Sequence, residues 1–188
     1  SYDPFWSSQP NNSAGDMVLH GNYTYANLFE QNICQNIVID NSHGPNGPYN
    51  TFLRNRAEGY GIFFSANNSP SQNFIGNEIT NTQFPFSLVN YTIQGINHFL
   101  HGNNNKGSIV PTGTQTLKDS SYIYITKPQF LERTQWFGIG TPNAMNRNAI
   151  PAINRKKDGQ IFRNACGSNT TSTYQQLRNN RDVLIYPN

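Results

Sequence analysis

Apolar positions recur at a regular spacing in the first half of the chain, inside a short phrase that occurs four times. Each copy places a phenylalanine among polar residues, and the copies cover residues 27–32, 50–55, 72–77 and, more loosely, 97–103. The four phenylalanines, Phe29, Phe52, Phe74 and Phe99, are 23, 22 and 25 positions apart. A period of this length is typical of a solenoid, in which each repeat forms one coil that stacks on the next.

The residues after each phenylalanine alternate between apolar and polar, as half-buried strands do. Residues 36–40 and 60–64 show this period of two, and no repeat has the apolar stripe of a helix. Small or apolar residues stand five positions after the phenylalanine (Cys34, Ala57 and Ile79), and isoleucines stand ten positions after it (Ile39, Ile62 and Ile109, with Phe86 and Leu88 nearest in the third coil). The pattern predicts short parallel strands with these side chains inside.

The fold predicted is all-β, a right-handed parallel β-helix with an irregular C-terminal tail packed along it. Equivalent positions would then lie about 4.8 Å apart along the stack, so Phe29, Phe52, Phe74 and Phe99 would form one internal ladder. Asn32, Asn55 and Asn77 each follow a phenylalanine by three residues, where the chain must turn. Asparagine tolerates left-handed backbone angles and can bond through its amide to the next coil, which predicts a structural ladder.

Three regions follow from the extent of the repeat. Residues 1–16 form an irregular lead-in, residues 17–127 form the coils, and residues 128–188 form an extended tail with a short helix near residues 173–178. The last strand of the coils is expected at residues 122–126, with Ile123 and Ile125 pointing inward. Residues 41–49 and 65–71 are rich in glycine, proline or serine and are expected to project as loops.

Composition narrows the class of protein. Of 188 residues only 12% are charged, against a usual value of about 25%, and 29 are asparagine. Such polarity without charge suits an extracellular β-rich protein. The net charge of +3 is scattered and gives no nucleic-acid footprint, and no apolar run is long enough to span a membrane. Cys34 is expected to be a buried thiol, and its pairing with Cys166 is left open.

The repeat phrases also carry a resemblance to known proteins. Residues 50–55 together with 59–62 resemble the coils of the pectin-lyase-like superfamily, and residues 20–32 resemble secreted β-helix proteins of Bacteroidota. Tyr186, Pro187 and Asn188 resemble the start of the C-terminal sorting domain that the type IX secretion system reads. The resemblance implies a protein that is secreted or held on the extracellular face of the outer membrane. It does not fix an activity, since that superfamily mixes enzymes with non-catalytic adhesins.

Catalytic candidates are few. Hydrolases on this scaffold need paired aspartates, and the coils contain no such pair. Lyases need a Lys or Arg base, often with calcium beside it. Arg56 and Glu78 share one register position and should be stacked neighbours, with Arg54 and Glu58 nearby. These four residues form either a lyase site, with calcium as its cofactor, or an exposed ion pair between coils.

Binding candidates are the aromatic residues of the loops and coil exteriors. Tyr49, Tyr60 and Tyr91 are predicted to stack on sugar rings, and other exposed tyrosines could do the same. His98 and His101 would point to opposite faces of a strand, so no metal site is predicted.

The first hypothesis is therefore a secreted cell-surface β-helix protein that acts as a non-catalytic scaffold, adhesin or accessory subunit and binds glycan or a protein partner. The alternative is a polysaccharide lyase or a related carbohydrate-active enzyme. A third hypothesis is a subunit of an outer-membrane assembly, which docks through an exposed end of the coils.

Overall fold

The computed structural model describes residues 15–64, 67–82, 91–118, 121–128, 131 and 136–157. The chain divides into two units, Ser1–Ile150 and Pro151–Asn188, and in the second the described element is the helix α1 (Pro151–Lys157). The first unit contains eleven strands within the described residues: β1 (Met17–His20), β2 (Leu28–Glu30), β3 (Ile33–Asp40), β4 (Thr51–Leu53), β5 (Arg56–Phe64), β6 (Asn73–Ile75), β7 (Glu78–Ile79), β8 (Tyr91–Ile93), β9 (Phe99–His101), β10 (Asn103–Asn105) and β11 (Ser108–Val110).

These strands form two sheets whose order follows from a chain that winds in coils. The larger sheet runs β1-β3-β5-β7-β10-β11, with β8 also paired to β5, and the smaller sheet runs β2-β4-β6-β9. Every pairing is parallel except that of β10 with β11. Each coil therefore contributes one short strand to the smaller sheet and one strand or more to the larger sheet. The predicted all-β parallel solenoid is confirmed.

Two sharp corners flank every short strand, and each is made by one residue with a positive φ. At the first corner these residues are Ala26, Tyr49, Ser71 and Asn97, with φ between 52° and 66°. At the second corner, five positions later, they are Gln31, Arg54, Gly76 and Gly102, with φ between 48° and 63°. One left-handed residue reverses the strand direction sharply, so four coils repeat the same turn.

An asparagine follows every second-corner residue and forms a continuous amide ladder. The side-chain Oδ1 of Asn55 accepts bonds from both the backbone N and the Nδ2 of Asn32, each at 3.0 Å. Asn77 accepts the same pair from Asn55, at 3.0 Å, and Asn103 accepts it from Asn77, at 3.0 and 2.9 Å. The ladder satisfies backbone groups that a corner would otherwise leave unpaired inside the molecule.

Phenylalanine rings stack inside the coils. Phe29 lies 4.9 Å from Phe52, and Phe52 lies 4.9 Å from Phe74, with the rings within 9° of parallel. Phe52 and Phe74 are fully buried, and each contributes about 2 kcal/mol through the apolar surface removed from water. Cys34, Ala57 and Ile79 form a second buried column, as their spacing predicted.

The fourth member of the phenylalanine ladder differs from the prediction. Leu100 pairs with Phe74, whereas Phe99 pairs with Asn73 and is 54% exposed. The ladder asparagine of this coil is Asn103, and three positions before it stands Leu100. The repeat is therefore defined by its corner and not by the aromatic residue.

Two other register predictions were wrong. Ile39 pairs with Phe64 and not with Ile62, because the register between β3 and β5 shifts after Cys34. Ile109 lies in β11, which pairs with β10 in the antiparallel direction and does not continue the column. Lys106 and Gly107, both with positive φ, form the two-residue turn between β10 and β11. The hairpin covers the edge that β10 would otherwise expose.

A segment that we call the strap, residues 136–148, crosses the second corners of the coils. The side chain of Ile139 is fully buried, and the Thr141 backbone N donates to the carbonyl of Gly76 at 2.9 Å. This part of the tail packs along the coils as expected. Residues 122–126 are not a strand, and Ile123 and Ile125 are exposed, the latter at 99%. Phe86, Leu88, Cys166 and the helix expected near residues 173–178 lie outside the described residues.

Candidate functional site

The candidate catalytic residues suggested by the sequence lie close together in the structure, and the strap covers all of them except Glu58. Arg56 and Glu78 are paired across adjacent strands, and the Arg56 Nε lies 2.9 Å from the Glu78 Oε1. The predicted register is correct. The predicted exposure is wrong, since both residues are buried.

Glu78 is bonded on both oxygens by the strap. Its Oε1 also accepts from the backbone N of Gly140 at 2.9 Å, and its Oε2 accepts from the backbone N of Met145 at 2.7 Å. Arg56 completes the attachment by donating from Nη1 to the carbonyl of Asn148 at 2.7 Å. A buried ion pair that makes three further hydrogen bonds to backbone groups of the strap is a structural arrangement.

Arg54 and Glu58 differ in their surroundings. Arg54 is buried, donates from Nε to the carbonyl of Thr141 at 2.7 Å and places its guanidinium 4.2 Å from the centre of the Phe137 ring. Glu58 is exposed and lies 3.6 Å from Arg56 Nη1. One further Arg56 atom, Nη2, is buried without a hydrogen-bond partner.

This geometry argues against a lyase groove built on Arg54, Arg56 and Glu78, whereas Glu58 remains exposed. A general base must reach the proton that it removes, and the strap separates Arg54, Arg56 and Glu78 from any polymer in solvent. The thiol of Cys34 is also buried. Burial, with the carboxylates of Asp16 and Glu58 adding to it, raises the pKa of the Cys34 thiol to about 12, so the reactive thiolate is not formed near neutral pH.

Two of the three tyrosines nominated for sugar stacking are not available. Tyr60 is buried. Tyr91 is half-buried and its hydroxyl accepts a bond from Asn103 Nδ2 at 3.0 Å; burial, which outweighs that bond, raises its pKa. Both pack inside the coils because aromatic side chains on inward positions of a strand bury the most apolar surface.

Tyr49 is exposed, and two of the other tyrosines that the sequence suggested for sugar stacking, Tyr23 and Tyr25, belong to the adjacent coil. Tyr23, Tyr25 and Tyr49 are 61%, 64% and 64% exposed, and the Tyr23 and Tyr25 rings lie 6.4 Å apart. The backbone connects the two coils here, because the N of Ala26 donates to the carbonyl of Pro48 at 3.0 Å. We call Tyr23, Tyr25 and Tyr49 the tyrosine ridge.

The backbone of the ridge is strained in a way that its packing does not offset. Tyr23 and Tyr49 have φ values of 55° and 66°, a region that a bulky residue enters at a cost of about 1 kcal/mol or more. Arg54 has the same conformation but gains the buried contacts described above. Since an exposed ring gains no such contacts, the strained tyrosines are the best candidates for a functional role.

The register of the corners could have identified the ridge from sequence. Ala26, Tyr49, Ser71 and Asn97 occupy one position in four coils, and three of these residues are small or are tolerant of a positive φ. A tyrosine at such a position contradicts its local preference, which is the signal that points to function.

The histidines do not form a metal centre. His20 Nδ1 lies 2.8 Å from Asp40 Oδ2, and the His20 and His43 rings are 4.5 Å apart. Burial would raise the Asp40 pKa, but hydrogen bonds from Ser42 and His20 outweigh it and hold the pKa below its usual value. Among the described residues no three His, Cys, Asp or Glu side chains are placed to hold a metal ion.

A second row of side-chain hydrogen bonds runs through the first corner, and His98 occupies in the fourth coil the position that an amide side chain occupies in the other three. There Asn27 donates to Asn50 at 2.8 Å, Asn50 donates to Gln72 at 2.9 Å, and the backbone N of Gln72 donates to His98 Nδ1 at 3.1 Å. Because Nδ1 accepts, the proton lies on Nε2, which faces the Gln94 carbonyl at 2.9 Å. Burial, partly opposed by that carbonyl, lowers the pKa of His98.

No helix in the described part of the chain is long and apolar enough to cross a membrane. Comparisons of the sequence and structure with protein-family models, curated proteins and solved structures returned no match. The fold is a parallel β-solenoid.

Proposed function

We propose that this chain is a non-catalytic binding protein of the cell surface, which recognises glycan through the tyrosine ridge. It would act as an adhesin, scaffold or accessory subunit. The observation that supports this proposal most directly is the group of exposed rings, two of them on residues with positive φ.

Tyrosine suits sugar binding for two reasons. Its ring is flat and apolar enough to cover the C–H face of a sugar, and it has few rotatable bonds to immobilise. Its position on a rigid corner matters as well. The Tyr49 backbone N donates to the Ser71 carbonyl at 2.7 Å, so the ring projects from a fixed base.

Exposed amides beside the ridge supply the polar contacts that a sugar needs. Asn22, Asn27 and Asn97 are exposed at this corner of the coils. Each amide can both donate to and accept from a hydroxyl group, which a carboxylate or an ammonium cannot. Flat rings flanked by amides favour glycan over a protein partner, whose interface would require a larger apolar area.

The location rests on the sequence resemblance. Tyr186, Pro187 and Asn188 match the start of a type IX sorting domain, and the Asn-rich coils resemble secreted proteins of Bacteroidota and the pectin-lyase-like superfamily. Brief protease treatment of intact host cells, followed by detection of the chain, tests this placement. Protection of the chain until the cells are lysed would contradict it.

The binding experiment uses the purified chain and a panel of polysaccharides in affinity electrophoresis. We expect at least one polymer to retard the chain, and we expect Tyr25→Ala and Tyr49→Asn to remove that retardation. Tyr122→Ala is the matched control, since Tyr122 is also exposed and its backbone N bonds to Glu30 Oε2 at 3.3 Å, at the second-corner end of β2. Failure of every polymer to bind, or equal loss with the control, would contradict the proposal.

The lyase alternative is tested with the same protein. A lyase releases unsaturated uronate ends, which absorb ultraviolet light, whereas a binding protein does not. We expect no release from polygalacturonate or alginate, with or without calcium. Release that Arg56→Ala abolishes without unfolding the chain would establish the enzyme instead.

A further inference from the structure

The described loops at the corner that carries the tyrosine ridge contain no Asp, Glu, Lys or Arg. The first corner and its loops comprise residues 21–27, 41–50, 67–73 and 94–100, and none of these is Asp, Glu, Lys or Arg, although 12% of the chain is charged. Apart from the ridge tyrosines, the titratable residues in these stretches are His43 and His98.

The four stretches lie side by side in the structure. Tyr23 N donates to the carbonyl of Pro45 at 2.9 Å, and Asn46 N donates to Ser69 Oγ at 3.0 Å. Ser71 N then donates to the carbonyl of Ile96 at 3.2 Å. The uncharged stretches therefore form one continuous surface across four coils.

The acid nearest to this surface along the chain is already engaged. Asp40 precedes the second stretch, and its two oxygens bond to His20 Nδ1 at 2.8 Å and to the backbone N of Ser42 at 2.9 Å. Asp40 is therefore not placed to hold a cation that would bridge to an anionic ligand.

From this charge distribution we infer that the ligand of the ridge is a neutral polysaccharide, with no uronate, sulfate or phosphate group. The inference rests on the proposed function and names its substrate class. A carboxylate or sulfate that leaves water at a binding site needs a compensating cation, usually from Arg or Lys. The ridge offers rings, amides and carbonyls, which match hydroxyl groups and C–H faces.

The inference departs from what the pectin-lyase-like resemblance implies. Lyases of that superfamily bind uronate polymers through basic residues and calcium. In this chain the buried arginines Arg54 and Arg56 are engaged by the strap, and the ridge itself has no cation.

The test compares neutral polymers (xyloglucan, β-glucan and mannan) with anionic ones (polygalacturonate, alginate and a sulfated galactan) by isothermal titration of the full chain. Each titration is run at about 0.05 and 0.5 M NaCl, which changes the screening of charges severalfold. We expect a neutral polymer to bind with a Kd that changes less than about twofold with salt.

Two variants make the result specific to the ridge. Tyr49→Asn should weaken binding of the neutral polymer at least about tenfold, because it removes one stacking ring. Asn97→Asp adds a charge at a position whose φ of 62° aspartate also tolerates. Because Asn97 is one of the amides proposed to contact the sugar, this variant is read only by its salt dependence. For a neutral ligand, the Kd of the variant should change less than about twofold between the two salt concentrations, whatever its absolute value.

The outcomes separate the two proposals. Binding of an anionic polymer alone, weakened more than about tenfold by salt and by Asn97→Asp, would overturn the inference while leaving glycan recognition intact. Binding of no polymer would overturn the proposed function and the inference together. Retention of a protein from the host cell envelope in place of any glycan would do the same.

Discussion

Single residues show most clearly where structure and function separate in this chain. Gln31 and Arg54 both have positive φ, and both gain buried bonds in return, Gln31 by donating to the carbonyls of Arg54 and Ile139 at 3.1 Å. Tyr49 shares the conformation without buried side-chain bonds of this kind, since its ring is exposed. The same local strain therefore has a structural explanation at the second corner and a functional one at the first.

Replacing Tyr49 by asparagine should not destabilise the protein. Asparagine is the residue that the chain itself uses at the equivalent position, Asn97, and it enters the left-handed region more easily than tyrosine. We expect the free energy of unfolding in urea to stay the same or rise by up to about 1 kcal/mol. A loss of more than that would show that the ring is needed for packing.

His98 should make stability depend on pH. Because its pKa is lowered in the folded state, the unfolded chain binds more protons below the unfolded value of about 6.5. His98 therefore contributes stability that is present above that value and is lost as the pH falls through it toward the lower folded pKa. Protonation of Nδ1 would also place a donor against the Gln72 N–H.

The matched variant for this effect is His98→Asn, which places at position 98 the same residue type that Asn27 and Asn50 provide at this position in their own coils. Its Oδ1 can accept from Gln72 N at any pH. Urea unfolding of both proteins at pH 7.5 and pH 5, values on either side of the unfolded pKa of about 6.5, should show a smaller loss for the variant. Equal losses would show that His98 is not the source of the pH dependence.

Among the elements, the amide ladder is the part that the sequence predicted best. Asn32, Asn55 and Asn77 were assigned to corners from their spacing alone, and the structure bonds each to the next. Asn103 was missed, because the fourth phrase was aligned on Phe99. Spacing from the ladder asparagine would have selected Leu100 and given the correct register.

Removing one amide from the middle of the ladder should be more destabilising than removing one at its end. Asn55→Ala deletes bonds to Asn32, Asn77 and the Phe29 carbonyl in a buried site, which we expect to lower the free energy of unfolding by about 2–4 kcal/mol. Asn32→Ala, at the exposed end, should lower it by less than about 1 kcal/mol. Similar losses for both would mean that the ladder is not cooperative.

Alternation within one segment was not a sufficient strand signal. Residues 122–126 alternate cleanly, yet Ile125 is almost fully exposed. The edge beside β10 in the larger sheet is already taken by β11, which returns through the two-residue turn at Lys106 and Gly107. A strand requires a partner, and periodicity within one segment does not reveal whether a partner exists.

At the scale of the whole molecule, the strap decides what the ionic residues do. It bonds to Arg54, Arg56 and Glu78 and thereby converts a plausible surface site into an internal attachment. Its closest approach is at Gly140, where an added Cβ would lie 2.3 Å from the Gly76 carbonyl oxygen and 2.8 Å from the Arg54 Cα. Gly140 also has a φ of 72°, so no other residue fits there without movement.

Gly140→Ala should therefore loosen the strap. We expect it to cost more than the roughly 1 kcal/mol that a positive φ alone costs alanine, and to speed tryptic cleavage after Arg147. Gly107→Ala is the control, because Gly107 has a φ of 96° and no atom within 4 Å of an added Cβ. If both variants are cleaved at the same rate, close packing does not hold the strap.

The sequence by itself determined the solenoid, the corner marked by the ladder asparagines and the columns of Phe29, Phe52 and Phe74 and of Cys34, Ala57 and Ile79. These features depend on spacing, on inward side chains and on residues that tolerate a left-handed backbone. Tertiary structure alone decided which charged and aromatic residues reach solvent. Burial of Arg56 and Glu78 depends on the strap, whose Gly140 and Met145 bond to Glu78 from 62 and 67 residues further along the chain. Exposure of Tyr49, with Tyr60 and Tyr91 enclosed, depends on which face of each coil the neighbouring segments cover. A local sequence pattern contains no information about contacts between residues so far apart in the chain. The solvent exposure of a side chain depends on all such contacts.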